Sequence, residues 1–192
     1  MPENAAWRVK NIHFVTLHVV GTNNGRHWVT GDPVEVAARE AQKRDAANIE
    51  WLTEQFMKAR QQGADSLVIA MHADPTDVKV GRQGVPCTGV STDAQLACDG
   101  FVEIRKTIQR EAKQFKKPVL IIHGDTPPFT LDQSFAGDTA PNLWRLNAGG
   151  DVGSDDGVPF GLNDVTLVRI KPSASNPFEA EGLLTQKRPT AD

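Results

Sequence analysis

The feature that most constrains the fold is a plan that occurs twice in the chain. In each copy a helical pattern leads into a short apolar run, which ends in His-x-Asp and then a proline within three residues. The two copies are residues 66–71 followed by His72, Asp74 and Pro75, and residues 118–122 followed by His123, Asp125 and Pro127. Strands that each follow a helix are typical of a parallel α/β sheet, which binds ligands at the carboxyl ends of its strands. The sequence therefore predicts two imidazoles and two carboxylates at one sheet edge.

The remaining elements follow from hydrophobic periodicity and from turn signals. Asp32, Pro33 and Glu35 form an amino-terminal helix signal, and Gly63 is a stop signal. The predicted elements are strands at 12–20, 66–71, 118–122, 142–147 and 164–170, and helices at 33–61 and 101–115. We expect the last two strands to pair antiparallel across a polar hairpin loop at 150–157. The predicted fold class is thus α/β, with a mixed sheet flanked by helices.

Length and composition limit the classes of partner. The 192 residues suit a single domain or lobe, of which residues 171–192 are expected to be a loosely ordered tail with only Phe178, Leu183 and Leu184 docked. A net charge of −3 gives no reason to expect a nucleic acid, and no apolar stretch is long enough to cross a membrane. The expected location is cytoplasmic as the chain is written, or periplasmic or secreted if an upstream segment is missing.

Residues 74–100 are predicted to form a long surface loop that contains both cysteines, Cys87 and Cys98. Their spacing fits no zinc motif. A disulfide in an oxidising compartment and two reduced thiols in the cytosol are equally compatible with the sequence.

The polar residues at the strand ends point to metal chemistry. The chain has no Gly-x-Ser-x-Gly elbow, Walker loop or dinucleotide fingerprint. Imidazoles and carboxylates suit divalent metals and, through them, phosphoester hydrolysis. The candidate residues are His18, Asn23, Asn24, His72, His123 and Asp125. The alternative interpretation is that each strand-end histidine and its aspartate only orient a turn by hydrogen bonding.

Several stretches resemble, in order, the carboxyl-terminal half of calcineurin-like metallophosphoesterases. They are VTLHVVGTNN ending at Asn24, the helix with Asn48, Trp51 and Leu52, VIAMHAD ending at Asp74, and VLIIHGDT ending at Thr126, with Phe129 and Asp132 after it. The resemblance implies half of an α/β/β/α sandwich, a phosphoester substrate and a divalent transition metal (Mn, Fe or Zn). It also implies that His72, Asp125 and His123 bind metal, while His18, Asn23, Asn24 and His123 serve catalysis.

The chain departs from the family pattern in two places. None of the family's amino-terminal metal motifs precedes Trp7, and Pro127 stands where the family has a metal-binding histidine. Two functions therefore remain open. One is metal-assisted phosphoester hydrolysis, by a divergent member or by a fragment whose metal site is completed by another chain or a missing segment. The other is a non-catalytic descendant without a cofactor, acting as a binding or assembly module in a homo-oligomer or with a partner chain that completes the sheet.

Overall fold

The computed structural model describes residues 3–26, 33–78, 82–126, 128–135, 139–148, 153–155, 158–160 and 163–191, with only the backbone for 153–155 and 158–160. Its centre is a six-stranded sheet. The strands, in spatial order, are β1 (Ala6–Val9), β2 (Ile12–Thr16), β3 (Ser66–Ala70), β4 (Val119–His123), β6 (Leu143–Asn147) and β5 (Thr130–Asp132). The four central strands are parallel, and each edge strand is antiparallel to its neighbour. The predicted mixed α/β sheet is confirmed.

Two long helices cover one face of this sheet. The helices are α1 (Gly21–Gly25), α2 (Val34–Gln61), α3 (Thr92–Leu96) and α4 (Val102–Phe115). In α2 and α4, side chains at helical spacing, such as Phe56 and Ile108, are fully buried against Leu67, Ile69 and Ile121. Both long helices are confirmed, whereas α3 lies in the segment that the sequence predicts as loop. No helix in the described ranges is both long and apolar enough to span a membrane.

The other face is covered by a second, two-stranded sheet of β9 (Thr166–Ile170) and β10 (Phe178–Gly182). Phe178 and Val168 pack against Leu120 and Leu146 of the large sheet. The prediction that residues 142–147 pair with 164–170 is wrong. Both sides of β6 are already bonded, one to β4 and the other to β5, so β9 pairs with β10 instead.

Residues 171–192 carry more regular structure than the sequence predicts. Besides β10, Thr190 forms a parallel bridge with Thr130 of β5. Phe178 docks as expected and is 2% exposed, but Leu184 is 79% exposed. The predicted hairpin loop at 150–157 contains β7 (Gly153–Asp155), which pairs antiparallel with β8 (Val158–Phe160) just after the loop. Residues 150–152 and 156–157 lie outside the described ranges.

The β1 end of the large sheet is only partly covered. Trp7 of β1 is 47% exposed, and its ring stacks on Phe14 of β2 with centroids 5.4 Å apart. Val9, also on β1, is 52% exposed. Apolar surface on β1 therefore remains open to solvent.

Candidate functional site

The two His-x-Asp motifs leave the sheet at the same edge, as predicted, because β3 and β4 are adjacent and parallel. We call this side, where β2, β3, β4 and β6 end, the carboxyl edge. The backbone N–H of Gly124 donates to the carbonyl of His72 at 3.1 Å, so the segments that follow β3 and β4 are in direct contact. The carboxyl edge is therefore where candidate side chains of both motifs meet.

The two histidines nevertheless face different surroundings. Ala70 is the partner of Ile122, so Met71, and not His72, lies beside His123. Because successive strand residues point to opposite faces, His123 turns toward the helices and is 1% exposed, whereas His72 is exposed. One imidazole is therefore exposed and the other buried, and that the two share one ion stays a prediction.

Instead, the aspartate of the first motif lies against the histidine of the second. Asp74 Oδ1 lies 3.8 Å from His123 Nε2. The corresponding Asp125 is exposed, in a left-handed conformation with φ 73°. Neither His72 nor Asp125 has a side-chain hydrogen bond within the described ranges. The buried pair at the carboxyl edge is thus Asp74 and His123.

Asp74 is held by hydroxyl and amide donors. Its Oδ1 accepts from the backbone N–H of Thr76 at 2.7 Å and from the Thr76 hydroxyl at 2.6 Å, and its Oδ2 accepts from the Thr126 hydroxyl at 2.8 Å. Burial opposes ionisation, but His123 and the hydrogen bonds from Thr76 and Thr126 outweigh it and lower the pKa of Asp74. Asp74 is therefore ionised at neutral pH.

His123 is neutral at the same pH. Burial lowers its pKa, and the attraction of Asp74 offsets this only in part. Nδ1 lies 3.0 Å from the Gly124 carbonyl, so this nitrogen carries the proton and donates. Nε2 is then an acceptor, is buried, and has no hydrogen-bond partner among the described residues.

An arginine on β6 joins Asp74 to a second carboxylate. Asp132 of β5 and Arg145 of β6 are directly paired across the antiparallel strands. Arg145 donates to Asp132 Oδ2 from Nη2 at 2.8 Å and from Nε at 3.2 Å, and to the Thr76 hydroxyl at 2.7 Å. Its Nη1 lies 4.0 Å from Asp74 Oδ1. One guanidinium thus binds Asp132 and reaches Asp74.

Sequence reasoning missed Asp132 and Arg145 as members of the site. The available signal was the position of Arg145, two residues after the buried Leu143 and on the same face of the strand. A charge on a buried strand face needs a partner. The partner, however, comes from β5, whose pairing the sequence does not reveal.

The candidates Asn23 and Asn24 hold the backbone. They lie in α1, where Thr22, Asn23, Asn24 and Gly25 all have left-handed φ values between 52° and 68°. The Asn23 amide donates to the Cys98 carbonyl at 3.0 Å and accepts from the Gly100 N–H at 2.8 Å, and the Asn24 amide donates to the Gly100 carbonyl at 3.0 Å. Left-handed residues other than glycine are strained, so these bonds stabilise an unfavourable turn.

His18 lies beside this turn, and it is half-exposed. Its Nδ1 is 3.9 Å from the Glu3 carboxylate, and no contact in the described ranges joins it to the Asp74–His123 pair. The turn itself does reach the second motif, because a methyl group on Gly21 would stand 2.5 Å from Asp125 Oδ2. The two loops therefore pack together above the end of β3.

A disulfide bridge joins Cys87 to Cys98, which answers the question that the sequence left open. The residue after the bridge, Asp99, is buried and ion-pairs with Arg105 of α4 through both carboxylate oxygens. Arg105 also donates to the Pro75 carbonyl at 2.7 Å. The bridged loop thus positions a second arginine near the Asp74 loop.

The two arginines border a cleft of about 330 Å³, which we call the edge cleft. Its walls come from the loop after β3, from α4 and from the segment after β5. The lining residues are Thr76, Val78, Gln83, Arg105, Gln109, Ser134, Phe135 and Arg145. A larger groove, of about 430 Å³, lies between β10 and the β5–β6 border, and no predicted site residue lines it.

The donor set does not fit a complete metal centre. The described residues contain no group of three or more His, Cys, Asp or Glu side chains suited to a metal ion. Asp74 and His123 supply two ligands at most, whereas catalytic zinc sites use three from the protein. Asp74 is also bonded to hydroxyl groups and faces Arg145 Nη1, a cation near where a metal would bind.

Comparison with protein-family models, with curated proteins and with solved structures gives no significant match.

Proposed function

We propose that this protein is a non-catalytic, metallophosphoesterase-like α/β module that binds a small molecule in the edge cleft. The proposal is supported chiefly by Arg145, which ion-pairs with Asp132 and lies 4.0 Å from Asp74 Oδ1. A guanidinium here neutralises the carboxylates that a hydrolytic metal would use. The carboxyl edge then has a charge-compensated polar surface beside an open cleft.

The position of the cleft agrees with this role. It lies at the carboxyl edge, the usual ligand position in open α/β sheets. Its walls are held by largely buried ion pairs, since Arg105 binds Asp99 and Arg145 binds Asp132. Pre-formed walls reduce the entropy that is lost when a ligand binds.

Nuclear magnetic resonance with a library of small fragments of mixed charge tests the proposal. We expect some fragments to shift the backbone amides of Thr76, Val78 and Ser134 saturably. Gln83→Trp, which places an indole at an exposed position of the cleft, should abolish these shifts, whereas Gln61→Trp at the end of α2 should leave them unchanged. A library in which no member perturbs these amides would refute binding in the cleft.

Metal-assisted phosphoester hydrolysis is the second candidate function. The observation that favours it is the buried His123 Nε2, an acceptor that has no partner in the described ranges and faces a carboxylate. This candidate requires further ligands from outside those ranges or from another chain. Hydrolysis of an aryl phosphate that depends on Mn²⁺ or Zn²⁺ and disappears in His123→Ala would establish it in place of the first.

A further inference from the structure

Arg105 lines the edge cleft with only part of its guanidinium in use. Its Nη1 and Nη2 each donate to one oxygen of Asp99, and Nη1 also donates to the Pro75 carbonyl at 2.7 Å. An arginine has five N–H donors in a fixed plane. The remaining two, one on Nε and one on Nη2, have no hydrogen-bond partner among the described residues. They point to the same side of the guanidinium, and we call them the Arg105 fork.

The corresponding donors of Arg145, the other cation in the lining, are already occupied. Its Nε and Nη2 both donate to Asp132 Oδ2, and its Nη1 donates to the Thr76 hydroxyl at 2.7 Å. Arg145 therefore adds positive charge to the wall of the cleft, whereas Arg105 supplies the hydrogen-bond donors.

The carboxylates behind the lining need no donor from a ligand. Asp99 accepts from two backbone N–H groups and from two N–H groups of Arg105. Asp132 accepts from the N–H and the hydroxyl of Ser134 and from two N–H groups of Arg145. A carboxylate accepts about four hydrogen bonds, so both aspartates are saturated. The described lining itself contains two arginines and no carboxylate, so the cleft favours a ligand that is an anionic acceptor.

Size and charge limit the ligand to a small monoanion. At roughly 30 Å³ for each water-sized group, a volume of 330 Å³ holds about ten such groups. Three carboxylates, those of Asp74, Asp99 and Asp132, lie behind the two arginines and would repel a second negative charge on the ligand. A carboxylate group carries a single charge and matches a guanidinium fork with both of its oxygens. Val78 and Phe135 add apolar surface to the lining, which suits an apolar body on the ligand.

We infer that the edge cleft binds a small monocarboxylate through the Arg105 fork, an inference that rests on the proposed binding function. One carboxylate oxygen accepts from Nε and the other from Nη2, while the apolar body lies against Val78 and Phe135. Asp99 and the Pro75 carbonyl hold the other donors of the guanidinium. The fork is therefore oriented before the ligand arrives, which reduces the entropy lost on binding.

The test is a titration of ¹⁵N-labelled protein with sodium benzoate and sodium butyrate. Benzamide and butyramide serve as uncharged probes of the same shape, and inorganic phosphate as a second anion. Both carboxylates should shift the amides of Thr76, Val78 and Ser134 saturably, with dissociation constants of about 1 mM for two charge-assisted hydrogen bonds. The Nε resonance of Arg105, identified by its absence in Arg105→Lys, should move as well. The uncharged amides should bind at least about tenfold more weakly, because their hydrogen bonds are not charge-assisted.

Variants of the exposed Gln83, which lines the cleft, test the sign of the ligand's charge without disturbing a buried residue. Gln83→Lys should tighten benzoate binding and Gln83→Glu should weaken it, each by about twofold to fivefold, since exposed charges contribute little. Gln61→Lys and Gln61→Glu, at an exposed position at the end of α2, should leave the affinity unchanged. Arg105→Lys keeps the charge but removes the fork, and should weaken benzoate binding about tenfold.

Two results would overturn the inference and leave the proposed function standing. One is binding of benzamide and butyramide at these amides as tightly as benzoate and butyrate. The other is binding of phosphate, or of library fragments of a different class, without binding of either carboxylate. Carboxylate-induced shifts that leave the Arg105 Nε resonance unmoved, or that are equal in Gln83→Lys and Gln83→Glu, would place the carboxylate elsewhere and would also overturn it. If no probe of either experiment shifts these amides, the proposed function and the inference fail together.

Discussion

Arg145→Met should destabilise the protein strongly, because it removes one cation from between two buried carboxylates. The side chains of Arg145, Asp132 and Asp74 are 12%, 4% and 9% exposed. Breaking a buried ion pair by removing one partner costs about 3–5 kcal/mol. In a domain of this size 1 kcal/mol shifts the unfolding midpoint by about 2–4 °C, so we expect the midpoint to fall by roughly 6–20 °C.

A double-mutant cycle separates this electrostatic effect from lost packing. Asp132→Asn keeps an acceptor for the Ser134 N–H but removes the charge that Arg145 binds. If the pair is coupled, the double variant should be more stable than the sum of the single effects predicts, by about 1–3 kcal/mol. Chemical denaturation of the four proteins at neutral pH measures this difference.

A surface pair provides the matched control. Arg169 of β9 binds Glu181 of β10 at 2.7 Å, but 46% of its side chain is exposed. Arg169→Met should leave the unfolding midpoint close to that of wild type, because exposed ion pairs contribute little. If the destabilisation of the double variant equals the sum of the effects of Arg145→Met and Asp132→Asn to within about 0.5 kcal/mol, the two side chains are not coupled and the reasoning is refuted.

Three further predictions concern other parts of the fold. Gly21→Ala should make the exposed Asp125 carboxylate rotate away, since the added methyl would lie 2.5 Å from Asp125 Oδ2; unchanged resonances of the Asp125 side chain would contradict this. Desolvation opposes the ionisation of Asp164, but hydrogen bonds from Thr185, Leu184 and Val165 outweigh it and lower the pKa to about 2. Asp164 therefore stabilises the fold above its ordinary pKa of 3.8 and loses this effect as the pH falls toward 2. Asp164→Asn should therefore lower the unfolding midpoint at pH 7 but not near pH 2, and a pH-independent difference would refute the assignment. Replacing both Cys87 and Cys98 by serine should cost about 3 kcal/mol for a loop of this length; equal stability with and without reductant would contradict the bridge.

The sequence predicts the central layers because their patterns are local. Residues 66–71 and 118–122 are short apolar runs, and α2 and α4 carry apolar side chains at helical spacing, so each can be read without its neighbours. The shared carboxyl edge then follows from the general behaviour of parallel strands.

The details of the site depend on contacts between distant residues, which no local pattern encodes. Whether His72 or Met71 lies beside His123 depends on strand register, and a shift of one residue reverses the face. Arg145 finds Asp132 only because β5 folds back on β6. Helix α3, which lies inside the disulfide-bridged loop, has only five residues and therefore shows no repeated hydrophobic period. The pairing of β9 with β10 becomes evident only once it is known that β4 and β5 occupy both sides of β6.

The central claim is that Arg145, and not a divalent metal, neutralises the carboxylates at the carboxyl edge. Equilibrium dialysis of the wild-type protein against Mn²⁺, Fe²⁺ and Zn²⁺, followed by metal analysis, tests this directly, with His123→Ala as the matched variant. We expect far less than one metal ion per chain and no difference between the two proteins. One tightly bound metal ion per chain that is lost in His123→Ala would contradict it.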